Sequence, residues 1–190
     1  MPKIDNIEET PNPNAVKFIL KEPVTNGTTR SFHSERDAED DPLGKALFAV
    51  GEVASVFYMD RMITVEKEDD ADWDDLLPRL AVPIRAAEAA TGAQGGARAG
   101  VPEGVGGALG ALMSDDPRLI HINQVLDEQI RPALAGDGGW LEVLDLKENT
   151  LSIRYQGACG SCPSSLSGTL MAIERLIKQE VDDGIEVVAV

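Results

Sequence analysis

Residues 90–112 read ATGAQGGARAGVPEGVGGALGAL. Gly and Ala dominate the stretch. Gly leaves the backbone free and gives a helix nothing to pack, so the composition predicts a flexible linker. A linker there divides the chain of 190 residues into two small domains, 1–89 and 115–190, joined by residues 90–114. Both halves are acidic. Residues 1–88 hold 19 acids and 10 bases, residues 115–190 hold 13 and 6, and the net charge of the chain is −16. Such a surface repels phosphate backbones and anionic lipid, which argues against nucleic acid or a membrane as partner. The acidic runs ERDAEDD (35–41) and EKEDDADWDD (66–75) read as solvated surface.

No apolar run approaches the roughly 18–20 residues that a membrane helix needs. The opening MPKIDNIEETPNPN has neither the apolar core of a secretory signal nor the Arg-rich character of a transit peptide. Two cysteines make no disulfide framework, so the expected setting is a reducing one: a bacterial cytosol, or an organellar matrix in a mature form.

On either side of the linker the sequence predicts mixed helices and strands. In TPNPNAVKFIL (10–20), the Pro-Asn pairs form a turn, and Val16, Phe18 and Leu20 alternate as a strand does. DPLGKALFAVG (41–51) is a short helix that starts near Asp41, with Pro42 at its first position. VASVFYMD (53–60) and MITVEKE (62–68) form a hairpin about Asp60 and Arg61. DWDDLLPRLAVPIRAAEAA (72–90) is helical, with Pro78 and Pro83 expected to bend or interrupt it.

After the linker, Asp116 caps a helix that begins at Pro117 and carries Leu119, Ile122, Leu126 and Ile130 on one face. GDGG (136–139) is expected to stop it. WLEVLDL (140–146) and LSIRYQG (151–157) are strands joined by the turn KENT (147–150). Pro163 opens a second helix, with Leu166, Leu170, Ile173 and Ile177 on one face and Glu174 and Lys178 paired, and IEVVAV (185–190) closes as a strand. The fold class is α+β: two small α/β-sandwich domains on a Gly/Ala-rich linker, the second with helices on one face of its sheet.

The candidate chemistry sits in GACGSCPSS (157–165), which holds both cysteines, Cys159 and Cys162. Gly157 and Gly160 let the loop bend tightly. Pro163 begins a helix, so Cys162 lies at the positive end of its dipole, which favours the thiolate that ligates metal. Ser161, Ser164 and Ser165 supply small hydrogen-bond donors. The residues alone leave three readings open: a metal or cluster site, a redox dithiol, or structural thiols. Zinc and iron–sulfur centres usually take four protein ligands, and one chain supplies two cysteines. His33 and His121 are distant in sequence and read as surface residues. The economical answer is one site shared by two chains, each giving Cys159 and Cys162. No phosphate loop, Ser-His-Asp order or zinc-protease motif appears, so the chain does not read as an enzyme.

The wider stretches IRPALAGDGGWLEVLDL (130–146) and GACGSCPSSLSGTLMAIERLIKQEV (157–181) resemble the C-terminal domain of Nfu-type (NifU-like) iron–sulfur proteins. Gly157, Cys159, Cys162, Pro163, Ser164 and Ser165 match the family signature, and Asp137, Gly138 and Gly139 match its turn. TPNPNAVKFI, DPLGKALFAVGEVASVFYMDRMITVEKE and DWDDLLPRL are similar to the family's N-terminal domain, which carries no metal ligands. The resemblance implies a carrier that holds a labile [4Fe–4S] cluster, with a [2Fe–2S] form left open, between two chains. It implies transfer of that cluster to apo-proteins, with Cys159 and Cys162 as the ligands. It also implies a homodimer when the cluster is bound and allows a monomeric apo form. The alternative function is a dithiol–disulfide oxidoreductase, and a zinc-stabilised module is a third. Trp140 departs from the family pattern, where an acidic residue often follows Asp-Gly-Gly.

Overall fold

The computed structural model describes residues 2–88, 116–158 and 163–190, with residues 163–167 described by backbone alone. Cys159 and Cys162, the expected linker and the side chain of Leu166 lie outside the described residues. The chain divides into two compact units, Met1–Arg98 and Ala99–Val190.

The first unit contains strands β1 (Ile4–Glu9), β2 (Ala15–Leu20) and β3 (Thr29–Phe32), helix α1 (Pro42–Phe48), strands β4 (Val53–Met59) and β5 (Met62–Lys67), and helix α2 (Trp73–Ala86). The five strands form one antiparallel sheet in the order β1-β2-β5-β4-β3. Alternation decides which face is buried. Val16, Phe18 and Leu20 of β2 pack with Val56 and Tyr58 of β4 and Ile63 and Val65 of β5. Leu47 and Phe48 of α1 and Leu76, Leu80 and Ile84 of α2 close the same core, so both helices cover one face. Asp41 caps α1 by accepting from the Gly44 N–H at 2.8 Å. Burial, together with the hydrogen-bonded Asp41 carboxylate, pushes the Tyr58 phenol far above its ordinary range.

The expected hairpin is present, with Asp60 at φ 50° between β4 and β5. Two strands, β1 and β3, were not expected from the sequence. Of the two effects expected of its prolines, interruption is not seen in helix α2, which runs unbroken through Pro78 and Pro83. A proline frees the carbonyl four residues earlier. Those carbonyls belong to Asp74 and Arg79, and both residues are exposed, so water can satisfy them while Leu76, Leu80 and Ile84 hold the opposite face.

The second unit contains α3 (Pro117–Gln129), α4 (Arg131–Gly136), β6 (Gly139–Lys147), β7 (Thr150–Gly157), α5 (Pro163–Glu180) and β8 (Glu186–Ala189). Its sheet has the order β6-β7-β8, with β6–β7 antiparallel and β7–β8 parallel. Leu141, Val143, Leu151, Ile153 and Tyr155 point into a core with Leu119, Ile122 and Leu126 of α3 and Ile173 and Ile177 of α5. The sequence predicts a first helix that runs as far as the GDGG segment, but the helix stops short of it. It ends at Gln129, and a separate helix follows from Arg131. Pro132 has no N–H to continue the ladder, so the chain breaks at Ile130 and restarts. GDGG then terminates the second helix.

At the start of α3 the Asp116 carboxylate accepts from the Arg118 backbone N–H at 2.9 Å and from the Arg118 guanidinium at 2.8 Å. These bonds hold the Asp116 carboxyl below its ordinary value of 3.8. A depressed folded value means that the carboxylate adds stability above its unfolded pKa and loses it as pH falls through the folded one. NMR titration of the Asp116 side chain is expected to give a midpoint below 3.8. Arg118→Gln should return it toward the ordinary value. An unshifted midpoint in the unaltered protein would contradict the pairing.

Candidate functional site

The described residues around the cysteine loop form its two supports. Strand β7 carries the chain to Gly157 and Ala158, and α5 receives it at Pro163, the residue after Cys162. Ile173 and Ile177 are fully buried and fix α5 to the core, and Lys178 pairs with Glu174 at 2.5 Å, as the sequence predicts.

Asp137, Gly138 and Gly139 are far from Gly157 in sequence but adjacent to it in the fold. Gly139 faces Gly157 in the β6–β7 register. The Ala158 N–H donates to the Gly138 carbonyl at 3.2 Å, so the strand that delivers Cys159 is tied to the Asp-Gly-Gly turn one residue before the cysteine. Gly138 has φ 77° and Gly157 has φ 70°, a region that a Cβ opposes by about 1–2 kcal/mol. Both glycines are buried, and Asp137 is exposed. Gly138→Ala is expected to destabilise the second unit by about 1–2 kcal/mol and to loosen the Ala158 hydrogen bond. Thermal unfolding and amide exchange at Ala158 read the two effects separately. An alanine variant with unaltered melting would refute the strain.

A residue that sequence reasoning missed lies beside this turn. Arg131, the first residue of α4, is 8% exposed. Its guanidinium donates to the Leu141 carbonyl at 3.1 Å, to Asp127 Oδ1 at 2.5 Å and to Asn123 Oδ1 at 2.9 Å. Trp140 lies with its ring centroid 5.6 Å from the Arg131 Cζ, a cation–π distance. The sequence gives no direct signal for this: Arg131 falls inside the helix expected to run from Pro117 to GDGG, and becomes a helix N-terminus only through the break at Ile130. Next to Trp140 in the register stands Gln156, buried, with its Nε2 donating to Glu142 Oε2 at 3.2 Å.

His33 and His121 are both exposed. Among the described residues, no three His, Cys, Asp or Glu side chains gather in a way that would hold a metal ion, and no helix is long and apolar enough to cross a membrane.

Two family models match the chain in order: the Nfu/NifU scaffold-protein N-terminal domain over residues 4–89, and the NifU-like domain over residues 122–188. The chain belongs to the Nfu family. It carries both the N-terminal and the C-terminal domain of that family, and the Asp-Gly-Gly turn, Gly157 and Ala158 all fall in the second match. NifU-like protein 5, mitochondrial, of Arabidopsis thaliana is 32% identical to it over 93% of this chain and 64% of its own length. The human NFU1 iron-sulfur cluster scaffold homolog, mitochondrial, is 32% identical over 90% of this chain and 65% of its own. This Nfu chain thus spans less than two thirds of those relatives. Among solved structures, protein SAV1430 of Staphylococcus aureus matches at 32% identity and a TM-score of 0.39, over 43% of this chain and 98% of that one.

Proposed function

We propose that this Nfu chain works in iron–sulfur protein maturation, as a carrier that binds a [4Fe–4S] cluster through Cys159 and Cys162 and hands it to apo-proteins. The observation that carries the reading is the hydrogen bond from Ala158 to Gly138. It fixes the entry to the cysteine loop against a turn of the same domain that matches the NifU-like family. The names of the relatives support the class of cargo, since the human one is called an iron–sulfur cluster scaffold.

Two cysteines per chain leave a four-ligand cluster half coordinated, so two chains share it, Cys159 and Cys162 from each. The cluster is cargo, and release is ligand exchange. A client thiolate forms a bond to an iron as a carrier thiolate leaves, with no change of oxidation state and no catalytic group on the carrier. The helix dipole at α5 keeps Cys162 ionised through the exchange. The setting is the bacterial cytosol or an organellar matrix. The N-terminal domain, residues 1–89, selects clients.

Anaerobic reconstitution with iron and sulfide tests the reading, with absorption, iron content and oligomeric state measured on one sample. A brown dimer with about four irons is expected, reverting toward monomer as the cluster is lost. A cluster of about two irons per dimer would assign the [2Fe–2S] form instead. A colourless chain that holds zinc, or one that reduces disulfides without iron, would overturn the proposal. Deleting residues 1–88 is expected to leave cluster binding intact and to slow transfer to client proteins. Loss of the cluster on deletion would count against that division of labour.

A further inference from the structure

Arg131 joins parts of the second unit that the backbone keeps separate. Its donors reach Asn123 and Asp127 on α3 and, ten residues on, the Leu141 carbonyl of β6. Between Arg131 and Leu141 run α4, the Asp-Gly-Gly turn and the start of β6. One guanidinium therefore closes this segment into a ring and fixes the ring to α3. The Gly138 carbonyl inside the ring receives the Ala158 N–H.

Burying an arginine is unfavourable unless its donors are met. Here a carboxylate, a side-chain amide and a backbone carbonyl meet three of its nitrogens. The Trp140 ring lies against the guanidinium. Among the described residues no strand pairs with the outer side of edge strand β6, and Arg131 occupies that side at Leu141. The Trp140 ring shields the ion pair between Arg131 and Asp127 from water, whereas a carboxylate at position 140 would compete with Asp127 for the same guanidinium.

We infer that Arg131, covered by Trp140, is a positioning residue for the cargo site: it clamps the Asp-Gly-Gly turn, and through Gly138 and Ala158 it sets how firmly the cysteine-bearing loop is presented. The part about cargo rests on the proposed carrier function; the clamp itself does not. Lysine at position 131 can keep an ion pair with Asp127 but cannot fork to Asn123 and Leu141 at once. Leucine at position 140 keeps apolar bulk and removes the aromatic face.

The experiment uses the full chain in two states. On the apo protein, hydrogen exchange at the Ala158 amide is measured by NMR for the unaltered chain, Arg131→Lys, Trp140→Leu and a control, Val187→Ala. The control removes buried volume on β8, away from the turn. On the reconstituted protein, the rate of cluster loss to a chelator is followed by absorption. Arg131→Lys is expected to raise both rates by roughly ten-fold, the scale seen when supports behind metal ligands are removed. Trp140→Leu should raise both by less. Val187→Ala should leave both within about two-fold, even where its melting temperature falls as far.

Ala158 exchange that follows melting temperature alike in Arg131→Lys and Val187→Ala would overturn the clamp. Faster exchange with unaltered cluster loss would overturn its link to the cargo. If the unaltered chain takes up no cluster, the carrier function fails, and the apo exchange still decides the clamp. Should Arg131→Lys fail to fold, Trp140→Leu carries the same decision.

Discussion

Cys159→Ser chains are expected to hold no iron after anaerobic reconstitution, where unaltered chains hold about four irons per dimer. The size of the effect follows from ligand number. A shared cluster has no spare protein ligand, so one substitution removes two of its four thiolates, one from each chain. Serine is isosteric but stays protonated at neutral pH and is a poor ligand for iron. Thermal unfolding of the apo variant is expected to match that of the unaltered chain, with the core of Leu119, Ile122, Leu141, Ile153, Ile173 and Ile177 keeping every one of its side chains. Iron content at the unaltered level in the serine variant would refute Cys159 as a ligand. Cys162→Ser should behave alike, with one further readout. Because α5 begins at the next residue, Pro163, the apo Cys162 thiol is expected to react with an alkylating agent at lower pH than an ordinary thiol.

Phe18→Ala is expected to be the most damaging core substitution in the first unit. Phe18 is fully buried on β2, between β1 and β5, in the core that both helices close. Truncating such a residue costs about 3–5 kcal/mol, against a total of about 5–15 for a domain. For a unit of this size, that lowers the melting temperature by roughly 15–30 °C. Each unit buries its own core, so calorimetry should show the first transition moving while the second stays in place. A single transition that shifts as a whole would show that the two units unfold together. Cluster uptake measured below the first transition should be unaffected.

Much of this arrangement was legible in the chain, and particular residues show why. Asp41-Pro42, Asp116-Pro117 and the Pro163 start each combine a helix-opening proline with a strong local preference. The caps and starts are where the sequence places them. The alternation Val16, Phe18, Leu20 marks a buried face because its pattern needs no partner to be seen. Strand β1 was missed because IDNIEE has only two apolar residues, and the register shifts between Ile4 and Asn6. Strand β3 has four residues and takes its identity from pairing with β4. The break at Ile130 was missed because helix formers on both sides mask a single missing N–H at Pro132.

The cysteines announce themselves by spacing, but their support does not. The Gly138 carbonyl that receives Ala158 is a backbone group and leaves no mark in the sequence. The Arg131–Trp140 contact spans a helix and a turn. In the sequence Trp140 stands out only as a departure from the family pattern, and the structure sets it against an arginine of its own domain.

The outermost strand of the first sheet bears on how the chain behaves in a crowd. Among the described residues no strand pairs with the outer edge of β1, and an unpaired edge invites another chain to add to it. Its residues Asp5, Glu8 and Glu9 are acidic, and Lys21 and Lys17 lie on the inner neighbour, pairing with Asp5 and Glu8. A second copy that approached edge to edge would set these carboxylates against their own like charges. The strand that looks least like a strand in the sequence is thus expected to resist stacking of copies, and concentrated salt should weaken that resistance.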